Sequence, residues 1–330
     1  MRISDIQIRD PFVVLEDNTY YLFGSTDKDI WKSRAVGFDF YTSNADLTSF
    51  EGPFPAFRPA ADFWSETNFW APEVHRFNGA YYMFATFKPK EGRRGTAILK
   101  SDAGIRGPYQ PWSLTAAGVP GPVTPAEWEC LDGTFFIERG KPYLVFCHEW
   151  QQIGDGHICA MPLTDDLRQA AFSVEASAST GAVPSGEGEG ASTVSPKILF
   201  RASEAPWAYP LQGRAPGSYV TDGPFMHRTK DGALLILWSS FGEDGRYCIG
   251  TARSQDGTLN GPWLQSPEPL YSADGGHGML FRSKEGSASV EAGLYLAIHT
   301  PNKTPLERPI FVEITEGGDT ITAQTGKIIS

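Results

Sequence analysis

The sequence predicts an all-β protein, a five-bladed β-propeller built from four-stranded antiparallel blades. Three observations lead to this fold class. A hairpin pattern occurs five times, a third strand pattern follows each of the first four hairpins, and the 330 residues include 13% aromatics, 35 Gly and 25 Pro. Aromatic residues favour strands, and Gly and Pro favour turns. Repeats of about 40 to 60 residues with this content are typical of propeller blades.

The first hairpin occupies residues 8–26, which read IRDPFVVLEDNTYYLFGST. An acid-Pro step precedes an apolar run, a polar turn and a second, aromatic run that ends in small hydroxyl residues. This pattern predicts a strand, a tight turn and an antiparallel strand. Recognisable versions of the hairpin begin at Trp70, Leu131, Thr221 and Gly275.

The third strand of each blade is predicted from a second recurring element. It consists of an alternating strand and a polar turn, and three of its four versions carry Gly-Pro-aromatic. The versions begin at Phe38, Thr96, His157 and Tyr247. An outer strand then completes each four-stranded sheet.

The interval between the third and fourth repeats contains an insertion. We place the equivalent positions of the five repeats at Asp10, Ala71, Asp132, Asp222 and His277. The longest interval includes residues 173–193, which are rich in Ser, Gly, Ala and Glu and have no apolar period. Such a segment cannot pack a core. We expect a flexible surface loop there, within a single domain that covers residues 1–330.

The overall composition excludes several classes of function. The net charge of −11 provides no basic stripe for a nucleic acid, and no run of 18 apolar residues could cross a membrane. The N-terminus lacks a secretory signal, so we expect a cytoplasmic protein unless a signal was removed. The oligomeric state stays open. Four cysteines without zinc spacing or disulfide-scaffold density are expected to be buried thiols, namely Cys130, Cys147, Cys159 and Cys248.

Polar residues stand where the first strand of each repeat begins. They are Asp10, Glu73 with His75, Asp132, Asp222 and His277. Because a propeller arranges its repeats around one axis, we expect these side chains to meet at its centre. The sequence therefore predicts the functional site at this end of the first strands.

Five short motifs carry a family resemblance through their order and spacing. They are RDPF from Arg9, WAPEVH from Trp70, the Trp-x-Cys-x-Asp step from Trp128, DGPF from Asp222 and GGHG from Gly275. The chain resembles glycoside hydrolase family 43, five-bladed propellers that include arabinofuranosidases, xylosidases and arabinanases. The resemblance implies an inverting, exo-acting hydrolase that removes a terminal α-L-arabinofuranosyl or β-D-xylosyl unit from oligosaccharides and requires no cofactor.

Inverting hydrolysis needs a base and an acid on opposite faces of the sugar, roughly 6.5 to 9.5 Å apart. The resemblance implies that Asp10 is the general base, that Asp132 tunes the acid and orients the substrate, and that Asp222 is the general acid. The sequence departs from the family at Asp222, where a Glu usually precedes Gly-Pro. Glu149 and Glu73 are the alternative acids. Each Asp could instead be an ordinary turn residue.

The remaining candidates are predicted to contact the substrate or a metal. Trp70 and Trp128 could stack on a sugar, although packing in the core is the usual role of aromatics in β proteins. By resemblance, His277 is a candidate for facing a structural calcium at the propeller centre. The other predicted substrate-binding residues are Glu73, His75, Glu149 and Arg308.

Other functions compete with a pentose-specific exo-hydrolase. The departure at Asp222 favours a propeller that binds sugar but has lost its acid, whereas the presence of Asp10 and Asp132 speaks against this. A propeller that serves only as a binding scaffold is a second rival, and it predicts no glycoside hydrolysis. Endo action is a further alternative, because loop conformations decide between an open groove and a closed pocket. Galactosyl specificity on the same fold is another.

Overall fold

The computed structural model describes residues 1–171, 195–284 and 292–330. It contains five antiparallel sheets of four strands each, so the predicted five-bladed propeller is confirmed. The insertion expected to be flexible, at residues 173–193, lies outside the described residues. The single domain over residues 1–330 stays a prediction.

Each blade takes its four strands in chain order. Blade 1 comprises β1 (Arg9–Glu16), β2 (Thr19–Ser25), β3 (Phe38–Ser43) and β4 (Glu51–Phe57). Blade 2 comprises β5 (Ser65–Phe77), β6 (Ala80–Pro89), β7 (Gly95–Ser101) and β8 (Gln110–Pro111). Blade 3 comprises β9 (Cys130–Glu138), β10 (Lys141–His148), β11 (His157–Pro162) and β12 (Lys197–Arg201).

Blade 4 comprises β13 (Asp222–Arg228), β14 (Leu234–Phe241), β15 (Tyr247–Ser254) and β16 (Trp263–Gln265). Blade 5 comprises β17 (Gly276–Arg282), β18 (Leu294–Thr300), β19 (Arg308–Gly317) and β20 (Thr320–Ile329). The described residues also form one short helix, α1 (Trp150–Ile153), and two 3-10 turns, Ile3–Asp5 and Ala202–Glu204. No helix of the described part of the chain has the length and apolar character needed to span a bilayer.

The first strand of each blade lies next to the axis. Strand β1 contacts β17 and β5, β13 contacts β9 and β17, and β5 contacts β9, so the five first strands form a closed ring. The second strands are largely buried. In β14, for example, every residue from Leu234 to Ser240 is buried. The four cysteines are free and buried, as expected.

Every first strand has a bulge at the same place near its start. The pairing register with the second strand shifts there in all five blades. One residue in each bulge has a positive φ, between 45° and 56°. These residues are Asp10, Ala71, Asp132, Gly223 and His277. The fourth member is Gly223, so the equivalence that we assigned to Asp222 from the repeat is wrong by one residue. Asp222 occupies the position of Arg9 in blade 1.

Candidate active site

A cavity of about 500 Å³ opens at the end of the axis where the first strands begin. Six of the predicted site residues line it together: Asp10, Trp70, Asp132, Glu149, Asp222 and His277. Helix α1 and the loops between strands supply further walls, among them Trp31, Trp150, Leu211 and Asn302. The bulges of blades 1 and 3 place Asp10 and Asp132 beside the axis, and Asp222 directly precedes the bulge glycine of blade 4.

Asp10 is buried and is held as an anion. The Ser25 hydroxyl donates to its Oδ2 at 2.6 Å, and Nδ1 of His277 lies 3.2 Å from its Oδ1. Burial by itself raises the pKa of this carboxyl, but the charges of His277 and Arg9 outweigh that effect and lower the pKa below its usual value. An ionised carboxylate in a pocket can accept a proton from a water molecule.

His299 supports Asp10 from the second strand of blade 5. The backbone N–H of Asp10 donates to Nδ1 of His299 at 3.2 Å, and Nε2 of the same ring lies 3.3 Å from Oδ1 of Asn302. Burial, followed by the positive charge of Arg9, lowers the pKa of His299 to about 3. The ring is therefore neutral, with its proton on Nε2, and it fixes the backbone of Asp10.

Asp132 is a buried carboxyl with two donors. The Gly223 N–H donates to its Oδ2 at 3.2 Å, and the Thr86 hydroxyl donates to its Oδ1 at 3.4 Å. Its own backbone N–H donates to Thr86 Oγ1 at 2.8 Å. Burial and then the negative charge of Asp10 raise the pKa of Asp132 well above its usual value. Burial and the charge of Asp10 thus shift the pKa of Asp132 in the opposite direction from that of Asp10.

Asp222 is partly buried at the wall of the same cavity. The Tyr247 hydroxyl donates to its Oδ2 at 3.0 Å. Burial, followed by the charges of Asp132 and Glu149, raises the pKa of Asp222 to about 7. A carboxyl with this pKa carries a proton near neutral pH and can release it during a reaction.

Glu149 follows strand β10 and is only 3% exposed. Arg94 donates to its Oε2 at 2.9 Å from Nη2 and to Oε2 of Glu129 at 3.0 Å from Nε. The same guanidinium lies 5.2 Å from the ring centre of Trp70. Burial raises the pKa of Glu149, and Arg94 opposes this effect. Glu149 thus has a fixed cation partner, Arg94, whereas no ion pair of Asp222 is found among the described residues.

A comparison with known families identifies the family of this chain. The profile described as Glycosyl hydrolases family 43 covers residues 3–316. The chain belongs to glycosyl hydrolases family 43. The sequence resemblance is therefore confirmed, and with it the prediction of a glycoside hydrolase of an inverting family.

Several characterised proteins are similar to this family 43 chain. A solved structure of an endo-arabinase from Bacteroides thetaiotaomicron is 36% identical, with a TM-score of 0.78, over 96% of this chain and 97% of that one. An extracellular exo-α-(1→5)-L-arabinofuranosidase from Streptomyces chartreusis is 26% identical over 62% of this chain and 53% of its own length. An α-L-arabinofuranosidase 43 from Humicola insolens is 22% identical over 67% of this chain and 41% of its own length. The chain thus matches about half the length of the latter two relatives.

His277 lies between two acids of the family 43 site. Its Nδ1 is 3.2 Å from Asp10 Oδ1 and 3.7 Å from Asp132 Oδ2. A small cavity of about 10 Å³ adjoins it, which is roughly the space of one water molecule. Calcium needs six to eight oxygen ligands. The described residues contain no group of three or more His, Cys, Asp or Glu that could hold a metal, so the surroundings of His277 do not fit a protein-ligated calcium.

Four predicted substrate-binding residues do not line the large cavity. Glu73 borders the small cavity and lies 2.9 Å from His75 Nε2, and the His75 ring packs among phenylalanines. Trp128 stacks on His148 with ring centres 4.1 Å apart. Arg308 donates from Nε to the Ser4 carbonyl at 3.0 Å. Contacts within the protein therefore explain the positions of these four side chains, and no bound sugar is needed to explain them.

The sequence interpretation missed several residues of the family 43 pocket. Tyr247 begins the third strand of blade 4, and Arg9 directly precedes Asp10, so both lie within quoted repeats. Their positions next to motif acids were the available signal. Trp150 ends the third hairpin pattern and directly follows Glu149, so the same signal was available for it. Arg94 and Trp31 lie in or beside irregular segments, where no repeat marks them. Only the three-dimensional structure brings these two to the pocket.

Proposed function

We propose that this family 43 protein is an inverting, exo-acting hydrolase that removes terminal α-L-arabinofuranosyl units, with β-D-xylosyl as the second candidate sugar. One feature of the site carries the hydrolytic part of the proposal, namely that Asp10 and Asp222 line the same cavity in different environments. Within one pocket, the pKa of Asp10 is lowered and the pKa of Asp222 is raised to about 7. An inverting glycosidase needs this division, because one carboxylate must accept a proton while another carboxyl must donate one.

In the proposed reaction, Asp10 accepts a proton from the water that attacks the anomeric carbon. Asp222 donates its proton to the glycosidic oxygen as the bond between that oxygen and the anomeric carbon breaks. Oδ2 of Asp132 lies 3.7 Å from Nδ1 of His277 and accepts a hydrogen bond from the Gly223 N–H. The carboxyl is thereby held in the cavity, where we assign it two roles: it holds a sugar hydroxyl, and its charge tunes the pKa of Asp222. The products have the opposite anomeric configuration from the substrate.

The shorter side chain of Asp222 is compatible with an acid role. It lines the cavity directly, and the Tyr247 hydroxyl fixes one of its oxygens. This arrangement speaks against a propeller that only binds sugar, because a binding site would gain nothing from a carboxyl kept protonated beside an ionised one.

The names of relatives support arabinose as the sugar. Both curated relatives are called arabinofuranosidases, and the 36% identical structure is an endo-arabinase. Aromatic walls suit a furanose ring. Trp31 is 51% exposed at the cavity, with its ring centre 5.2 Å from that of Trp70. An exposed indole can stack against the apolar face of a sugar.

Endo action is the second candidate, and the similarity to the endo-arabinase favours it. Linear arabinan distinguishes the two modes. An exo enzyme releases arabinose alone from the first minutes, whereas an endo enzyme first produces a ladder of oligosaccharides. Chromatography of early products therefore decides between them.

The catalytic proposal is tested with nitrophenyl glycosides of α-L-arabinofuranose, β-D-xylopyranose and galactopyranose. We expect the arabinofuranoside to be hydrolysed fastest, and early NMR spectra to show the inverted β anomer of arabinose. No hydrolysis of any glycoside, including linear arabinan, would leave only a binding function. Release of the α anomer would exclude the roles assigned to Asp10 and Asp222. The cytoplasmic location stays a prediction, and one relative is named as extracellular.

A further inference from the structure

A repeated hydrogen bond joins neighbouring blades around the axis. Near the end of each second strand, one residue pairs with the residue that directly precedes the positive-φ residue of the bulge. In four blades this side chain accepts a hydrogen bond from the N–H of the positive-φ residue in the next blade. The four bonds run from Ala71 N to Ser25 Oγ at 2.8 Å, Asp132 N to Thr86 Oγ1 at 2.8 Å, His277 N to Ser239 Oγ at 2.8 Å and Asp10 N to His299 Nδ1 at 3.2 Å.

The third blade breaks this pattern. Its equivalent residue is Cys147, which pairs with Leu131 and is completely buried. A thiol is a weak hydrogen-bond acceptor. The equivalent N–H in the next blade belongs to Gly223, and it donates instead to Oδ2 of Asp132 at 3.2 Å. Asp132 thus accepts a hydrogen bond from the Gly223 N–H. At the other four blade junctions, the equivalent N–H donates to the second strand of the preceding blade.

We propose that Cys147 is a positioning residue for the reaction: because its thiol does not compete for the Gly223 N–H, that N–H holds the carboxyl of Asp132. The consequence for catalysis rests on the proposed function of this site. Gly223 directly follows Asp222 in the chain. The bond therefore ties the orienting carboxyl of blade 3 to the backbone that carries the acid of blade 4.

The hydrogen bond from the Gly223 N–H to Asp132 should affect the pH dependence of the site, because charged groups surround both Asp132 and Asp222. The groups that act electrostatically on Asp132 or Asp222 are Asp10, Glu149, Arg94, His277 and Tyr247. A donor to a carboxyl favours its ionised form. Loss of the Gly223 donor therefore raises the pKa of Asp132, so Asp132 carries a negative charge less often. With less negative charge beside it, Asp222 gives up its proton at lower pH.

Two substitutions of Cys147 test the proposal, because they give opposite results for positioning and for packing. Cys147→Ser introduces the hydroxyl acceptor that Ser25 and Ser239 supply in their blades. We expect it to capture the Gly223 N–H, to lower kcat/KM roughly two- to tenfold, the value of one hydrogen bond, and to shift the basic limb of the pH profile to lower pH. Cys147→Ala introduces no acceptor, so we expect the wild-type pH profile. A packing role predicts the reverse order, because Ala leaves the larger cavity.

Cys248→Ser is the matched control for burying a hydroxyl in place of a thiol. Cys248 is buried in blade 4 and its thiol contacts the Ser240 carbonyl, outside the large cavity. We expect this variant to keep wild-type kcat/KM and pH profile, whatever stability it loses. A wild-type pH profile in Cys147→Ser, or an equal shift in Cys147→Ala, would overturn the proposal. If Cys147→Ser does not fold, Cys147→Thr takes its place, because Thr86 supplies the same hydroxyl acceptor in blade 2.

A crystal structure of Cys147→Ser separates this proposal from the proposed function. We expect Gly223 N to lie within hydrogen-bond distance of the new hydroxyl and beyond that distance from Asp132. This result is independent of turnover, so it stands even if the wild-type protein hydrolyses no glycoside. An unchanged bond from Gly223 to Asp132 would contradict the role of Cys147 and leave the proposed function intact.

Discussion

Asp222 and Glu149 are two carboxyls of one pocket, on neighbouring blades, with opposite kinds of partner. Asp222 receives a hydrogen bond from the neutral hydroxyl of Tyr247, and its pKa is raised to about 7. Glu149 is more deeply buried and forms an ion pair with Arg94, which also binds Glu129. On the proposed roles, burial alone does not make a general acid. A fixed cation keeps a carboxylate in place, whereas a neutral donor leaves its proton available.

Replacement of Asp10, the proposed base, should lower kcat/KM more than any other substitution. This effect does not depend on whether Asp222 or Glu149 is the acid. We expect Asp10→Asn to lower kcat/KM by roughly 10²- to 10⁴-fold for every substrate, because the carboxylate that accepts the proton of water is removed. The fall should be similar for activated and unactivated leaving groups. Steady-state kinetics on both substrate types measure it, with circular dichroism to check folding. Kinetics close to wild type would show that Asp10 is a turn residue.

Variants of Arg94, Glu149 and Asp222 should differ in their free energy of unfolding. Arg94→Met leaves a buried carboxylate without its partner, so we expect a loss of about 3 to 5 kcal/mol in the free energy of unfolding. Glu149→Gln should cost less, because Arg94 retains Glu129. Asp222→Asn should change stability least near pH 6, since Asp222 is protonated there. Urea denaturation of the three variants measures the order, and equal losses for all three would remove the distinction between the two carboxyls.

A smaller effect should appear in the pH profile. Because Asp222 must be protonated to act, wild-type kcat/KM should fall as pH rises through about 7. The Tyr247 hydroxyl lowers this pKa by stabilising the carboxylate. Tyr247→Phe removes that hydrogen bond, so we expect the basic limb to move to higher pH, by about one unit or less. Glu149→Gln should instead move it to lower pH, because it removes a negative charge near Asp222. If the basic limb of the Tyr247→Phe pH profile moves to lower pH, the predicted direction of the shift is wrong.

The repeat made the blades and most of the acids predictable. Strand alternation and turn residues recur because every blade must pack between two others, and this constraint is visible in sequence. The bulge position was harder to assign. In blade 4 a glycine occupies it, so the acid pattern pointed to Asp222, one residue too early.

The partners of the acids were not predictable in the same way. Arg94 and Trp31 lie next to or within loops, whose paths depend on contacts distant in sequence. Arg308 shows the reverse case, since its predicted role followed from its place at the start of a strand. Its guanidinium instead binds the carbonyl of Ser4, 304 positions away in the chain. Such pairings follow from closure of the ring and not from any local pattern.

The most direct test of the central claim is the dependence of Asp222→Asn on the leaving group, with Glu149→Gln as its matched control. An activated nitrophenol departs without a proton, whereas the hydroxyl of an arabino-oligosaccharide needs one. We predict that Asp222→Asn reduces hydrolysis of the oligosaccharide by at least about 10²-fold more than that of the nitrophenyl arabinofuranoside, and that Glu149→Gln affects both equally. If Glu149→Gln shows the selective loss and Asp222→Asn does not, the general acid lies on blade 3 and the account given for Asp222 is wrong.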